Sequence, residues 1–193
     1  MVLNPEPKMT PAEYLAFERV QTDARHEYLN GEITAMSGAS LAHNLLVTNL
    51  MVNIGVQLRG RACNVFGSDM RVHIPTTGLY TYPDITALCG PRELEDDAMD
   101  TLLNPNVIIE VLSPSTEAYD RGAKFAHYQS IETLQEYVLI AQDQLRIEVF
   151  RRQDSGDWLY SVATDPDATV RLEAIGCNLG LSDVYDGVLE AEA

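Results

Sequence analysis

The sequence is short of positive charge: 13 of its 193 residues are Lys or Arg against 29 Asp and Glu, a formal net charge of -16. Nucleic acid is a polyanion held mainly by Lys and Arg, so the balance counts against a tight nucleic-acid binder with a basic stripe. The deficit is uneven, however. Residues 1–92 are almost neutral, whereas Glu93, Glu95, Asp96, Asp97 and Asp100 form an acidic stretch without a base, and residues 150–193 are again acidic. Most of the excess can therefore face away from a site. Cysteine is scarce too: Cys63, Cys89 and Cys177 are odd in number, far apart and never in a C-x-x-C pair. This predicts neither a disulfide framework nor a zinc knuckle, and all three read as buried small apolar residues. No run reaches the roughly 18 uncharged apolar residues of a membrane helix, and Met1 to Thr10 is too polar for a signal peptide. A cytoplasmic protein without membrane contact is expected. Glycine-rich phosphate motifs are missing, which excludes the common nucleotide-cofactor sites, and no G-x-S-x-G elbow marks a serine hydrolase.

What is present is an ordinary globular composition, 46% hydrophobic and 22% charged, in a length that suits one domain, residues 1–193. Thr10-Pro11-Ala12-Glu13 reads as a capping box opening a short helix to about Val20. Asn30-Gly31 between two short β-prone runs predicts a hairpin, because both turn residues need positive φ. From Ser40 to Arg59 two adjacent apolar rows predict a core helix closed by Gly60. Strands are expected at 62–66, 69–74, 82–89, 107–112, 135–140, 145–151 and 158–163, with an acidic loop over 91–106 and a helix over 117–131. The order predicts an α/β (α+β) fold: a central mixed β-sheet flanked by helices, with an N-terminal helix and β-hairpin.

The oddest residue is Glu110, a carboxylate inside Val107-Ile108-Ile109-Glu110-Val111-Leu112, a run that suits a strand buried on both faces. Burying a carboxylate costs several kcal/mol unless it is paired, protonated or on a metal. Asp84 opens another apolar strand after Pro83. Two carboxylates on adjacent strands, facing one way, would make a hard oxygen site of the kind Mg²⁺ or Mn²⁺ prefers. Asp120, Lys124 and Tyr128 recur at i, i+4 and i+8, one face of the helix that follows Glu110. Glu32, after the hairpin turn, and His43, in the first turn of the core helix, could add a metal contact or move a proton. Singly, each has a plainer reading: Asp84 as a turn cap, Glu110 as half of an ion pair with Arg121 or Lys124, the stripe as a solvated face, His43 as a satisfied histidine.

Together these residues resemble a known family. The segments His26-Glu27-Tyr28-Leu29-Asn30-Gly31-Glu32-Ile33, Ser40 to His43, Tyr82-Pro83-Asp84-Ile85, Ile109 to Thr116, and Asp120, Lys124 and Tyr128, over about residues 9–150, look like the Uma-two family. That family comprises endonuclease-type proteins abundant in cyanobacteria, assigned to the restriction-endonuclease-like PD-(D/E)XK superfamily. The resemblance implies that fold, an Mg²⁺-dependent endonuclease (Mn²⁺ as substitute), DNA as substrate and a homodimer. It makes Asp84 and Glu110 the metal ligands and Lys124, arriving from the neighbouring helix, the catalytic lysine, because Leu112 stands where the signature has Lys. Glu32 would be an additional acidic residue near the site, with His43, Asp120 and Tyr128 in support. The competing expectation is a nuclease-fold protein that no longer cuts and serves as a binding or dimeric scaffold module.

Overall fold

In the computed structural model, which describes residues 8–36 and 38–189, helix α1 (Pro11–Glu18) starts at Thr10 with the expected reciprocal capping box. The amino-terminal residues 1–7, on which most of the signal-peptide reading falls, and both ends of the expected 1–193 domain lie outside the described residues. The chain then forms β1 (His26–Leu29) and β2 (Glu32–Ala35) around Asn30 and Gly31, both at positive φ as the hairpin turn requires. The core helix α2 (Leu41–Leu58) is capped by the Ser40 hydroxyl and buries Leu46, Leu50, Ile54 and Leu58 along one row. There follow β3 (Cys63–Gly67), β4 (Arg71–Ile74), β5 (Leu79–Thr81), β6 (Ile85–Cys89), β7 (Thr101–Leu102) and β8 (Val107–Val111). A helical segment runs from α3 (Glu117–Tyr119) through a π turn (Asp120–Lys124) into α4 (Phe125–Tyr128). Strands β9 (Glu136–Ile140), β10 (Ile147–Arg152), β11 (Trp158–Ala163), β12 (Thr169–Leu172) and β13 (Cys177–Gly180) and helix α5 (Leu181–Val184) complete the chain.

The strands form a six-stranded mixed sheet, β11-β10-β9-β8-β6-β3, a five-stranded one, β2-β1-β5-β4-β7, and the β12-β13 pair. The strand expected over 82–89 begins only at Ile85, and the residues before Pro83 belong to the separate short strand β5. Pro83 cannot donate to a ladder, and the chain leaves the smaller sheet after Thr81 to enter the larger one at Ile85. Asp84 therefore stands on the seam between the sheets.

Alternation on the large sheet sorts side chains between two cores. Val107, Ile109 and Val111 join Ile85, Ala87, Val138 and Ile140 beneath α2, β13 and α5. Ile108 and Leu112 instead pack with Tyr128, Tyr137 and Leu139 on the face covered by α4. Glu110 has the parity of Ile108 and Leu112, so it points at the π turn and α4. Asp84, one step outside Ile85, shares the parity of Thr86 and faces the same way.

Three expectations need correction. Cys63 and Cys89 are not free buried thiols: they lie opposite each other in the β3–β6 register and their sulfurs are bonded. Cysteines 26 residues apart become neighbours only through that pairing; Cys177 is free and buried as expected. The helix expected over 117–131 ends at Tyr128 and is widened by its π turn. The β12-β13 hairpin, β5 and β7 were not anticipated, being too short or too polar to show alternation.

Candidate active site

The seam gathers side chains from both sheets and two helices. On β6 and β8 the two carboxylates are cross-linked through backbone: Asp84 Oδ2 accepts from the Val111 N–H (2.8 Å), and Glu110 Oε2 accepts from the Asp84 N–H (3.3 Å). Each acid thereby fixes the strand that carries the other. Glu110 Oε1 accepts from the Tyr128 hydroxyl at 2.7 Å and from the Lys124 ammonium at 2.9 Å. Lys124 is almost wholly enclosed, with Asp120 Oδ1 at 3.5 Å and Glu27 Oε1 at 3.3 Å. From α2, His43 Nε2 reaches Asp84 Oδ1 at 3.1 Å, and its Nδ1 is buried with no partner among the described residues. Ser40 holds that helix end in place: its hydroxyl accepts from the His43 N–H and donates to Gln142 Oε1, while Gln142 Nε2 donates to the Leu112 carbonyl just past β8.

Six of the seven residues singled out from the sequence are thus brought together: Asp84, Glu110, Lys124, His43, Asp120 and Tyr128. Glu32 is not among them. It is exposed on β2, with its carboxylate 3.5 Å from Lys8. The acid that the hairpin does contribute is Glu27, which binds Lys124 and accepts from the Thr81 hydroxyl. Alternation puts Glu27 on the face of Leu29, and Leu29 is the cross-strand partner of Glu32, so both acids share one face of the hairpin; Glu27 is carried inward because β1 pairs with β5, whereas Glu32 lies on the exposed edge strand β2. Leu112 is buried in that core, so the signature position cannot supply a lysine, and the ammonium comes from the π turn. That wide turn still leaves Asp120 and Lys124 in contact.

Electrostatically the pocket is unbalanced. Glu110, Asp120 and Glu27 surround one ammonium, and Asp84 adds a fourth carboxylate beside Glu110. Burial pushes the Glu110 carboxyl up to about 8; Lys124 pulls it down, and Asp84 and Asp120 push it further up. Burial alone would lower Lys124, but Glu110, Glu27 and Asp120 outweigh it and hold the amine well above its ordinary value, so it stays charged. Burial also raises Asp120 against the opposing pull of Lys124. Buried charges are costly unless they are compensated. This pocket carries an excess of carboxylate that a divalent cation would neutralise.

The donor chemistry fits such an ion. Mg²⁺ takes one or two carboxylates and completes its shell with water and phosphate oxygens. Asp84 and Glu110 offer two carboxylates fixed on adjacent strands, with Asp84 Oδ1 and Glu110 Oε2 each carrying a single contact from the protein. Among the described residues no group of three or more His, Cys, Asp or Glu is arranged to hold a metal ion; a two-carboxylate site would complete its shell with water and phosphate. No helix among them is long and apolar enough to cross a membrane.

Comparison with known proteins bears on the family and the fold. The Uma2 family model, described as "Putative restriction endonuclease", matches residues 11–182. Two uncharacterized proteins of Synechocystis sp. are similar, one 37% identical over 95% of each chain, the other 35% identical over 84% of this chain and 91% of its own. A crystal structure of a "putative nuclease belonging to DUF820" from Anabaena variabilis superposes with a TM-score of 0.73 over 91% of this chain and 98% of that one, at 22% identity, and shows the same fold.

Proposed function

The chain belongs to the Uma2 family and has the restriction-endonuclease-like fold, and from that premise we propose that it is a divalent-metal-dependent endonuclease that hydrolyses DNA phosphodiester bonds. The observation that carries this reading is the contact of one enclosed lysine with three carboxylates, one of them bonded through backbone to Asp84. Asp84 and Glu110 would hold Mg²⁺ or Mn²⁺. When bound, the ion supplies Lewis-acid polarisation of a phosphoryl oxygen. The protein's own groups do the positioning. Tyr128 and Lys124 fix one oxygen of Glu110 so that the other is left toward the seam. Asp120 and Glu27 keep Lys124 charged and aimed, so that its ammonium can donate to the phosphate as negative charge builds there. His43 orients Asp84 and offers a ring nitrogen for proton transfer.

The test is incubation of plasmid and of single-stranded DNA with Mg²⁺ and with Mn²⁺, using wild type, Asp84→Ala and Lys124→Ala. Cleavage by wild type alone is expected. Equal inertness of all three across both metals and substrates would remove the reaction and leave the scaffold reading, which the apolar residue at Leu112 and the charge of -16 favour. We further propose one domain over residues 1–193, a cytoplasmic location and a homodimer. The dimer reading draws support from α2, which has no Asp, Glu, Lys or Arg and leaves Leu41, Val52 and Val56 exposed. Light scattering on wild type and Val52→Glu should show a dimer turned into a monomer.

A further inference from the structure

The nuclease reading leaves open what kind of nucleic acid can reach the seam, and the placement of the cations bears on it. All 13 Lys and Arg fall within the described residues. Besides Lys124, seven have a carboxylate partner: Lys8, Arg19, Arg25, Arg71, Arg121, Arg146 and Arg151. Two of these belong to the catalytic edge of the sheet, where β6 begins and β8 and β9 end. Arg121 grips Glu148 through two bonds, 2.7 and 2.8 Å, and Arg146 grips the same carboxylate at 2.6 Å. Both pair with an acid that is itself buried, and neither is available to a phosphate.

The five without a carboxylate partner among the described residues sit at the other end of the molecule. Arg59 and Arg61 follow the far end of α2, about 24 Å along the helix from His43 at 1.5 Å per residue. Arg92 lies beyond the end of β6 opposite to Asp84. Arg152 ends β10, where its guanidinium bonds the Gln129 and Ile131 carbonyls. The Arg171 carbonyl accepts from Arg151, which pairs with Glu136 at the start of β9. A duplex laid across the seam would therefore meet carboxylates and cations already paired with them, the exposed Lys8 and Arg25 included.

Neutral groups line the mouth instead. The turn after β8 presents the Ser113, Ser115 and Thr116 hydroxyls, linked to one another and at least partly exposed. Beside it stands the half-buried ring of Tyr119, 5.8 Å from the Lys124 ammonium. Hydroxyls can bond sugar and phosphate without charge, and an aromatic face stacks any unpaired base. We propose that the substrate is single-stranded nucleic acid, held at the mouth by stacking on Tyr119 and by the Ser113–Thr116 hydroxyls, and not a duplex held along its phosphates. This inference rests on the nuclease reading for the chemistry, but recognition can be measured apart from it.

The experiment is fluorescence anisotropy with a labelled single strand of about 20 nucleotides and the matching duplex, in Ca²⁺ so that binding is read independently of turnover, at about 50 and about 200 mM salt. Single-strand binding at least tenfold tighter than duplex binding is expected, weakening only about threefold between those salts, as one phosphate contact implies. Tyr119→Leu should lose about tenfold in affinity and Tyr119→Phe should retain it, since the ring stacks and the hydroxyl does not. Tighter duplex binding with a salt loss of about a thousandfold or more overturns the inference whether or not DNA is cut. So does binding of neither probe, or equal loss in both Tyr119 variants. Single-strand binding without cleavage in Mg²⁺ or Mn²⁺ would uphold the inference and remove the reaction.

Discussion

Replacing Glu110 by Gln should stabilise the protein above neutral pH while destroying its metal site. In the unfolded chain this carboxyl titrates near its ordinary value of about 4.3, whereas burial, against the pull of Lys124, holds it at about 8 in the fold. Between these values the folded protein binds a proton that the unfolded chain has released, so stability falls as pH rises, by about 1.4 kcal/mol per unit. The contribution is whole below about pH 4, and the loss is complete once pH has passed through the folded value, about 5 kcal/mol in all. Gln has no proton to release and can still accept from Tyr128 and Lys124. Urea unfolding of wild type and Glu110→Gln should therefore give stabilities that diverge in the variant's favour from about pH 4.3 to about pH 8, then run parallel. A difference that does not change with pH would refute the reasoning, because it would mean that the carboxylate is balanced in the fold. Added Mg²⁺ should then raise wild type alone, by about 2.7 kcal/mol at a concentration about 100 times its Kd.

Three more outcomes are expected. Unfolded without reductant, the protein should expose one reactive thiol, Cys177, and three after reduction; Cys63→Ser should cost about 3 kcal/mol, from the entropy of opening a loop of that length. Despite burial, Arg121 and Arg146 hold the Glu148 carboxyl down at about 2, so its stabilisation is present above about pH 4.5 and lost as pH falls toward 2; Glu148→Gln should flatten the acid limb of an unfolding-versus-pH curve by at most about 3 kcal/mol. Ser40→Ala should cost about 1 kcal/mol as a lost cap and, by freeing Gln142, loosen the end of α2, which faster amide exchange at the first turn of α2 and at Leu112 should report.

What the sequence by itself determined was whatever neighbours along the chain decide. Asn30-Gly31 must turn because few other pairs accept positive φ at both positions, Thr10 and Glu13 cap α1 across three residues, and the periodicity of 41–58 marks a buried helix. Glu110 was conspicuous for the same reason, as a carboxylate in an apolar strand that had to find partners. Tertiary structure alone decided who those partners were. The Cys63–Cys89 bond depends on the β3–β6 register, the exchange of Glu32 for Glu27 on which strand of the hairpin lies inside the sheet and which at its edge, and the position of Asp84 on the break that Pro83 makes between two sheets. Contacts between residues distant along the chain depend on strand order and register, and these are set by the packing of both cores at once.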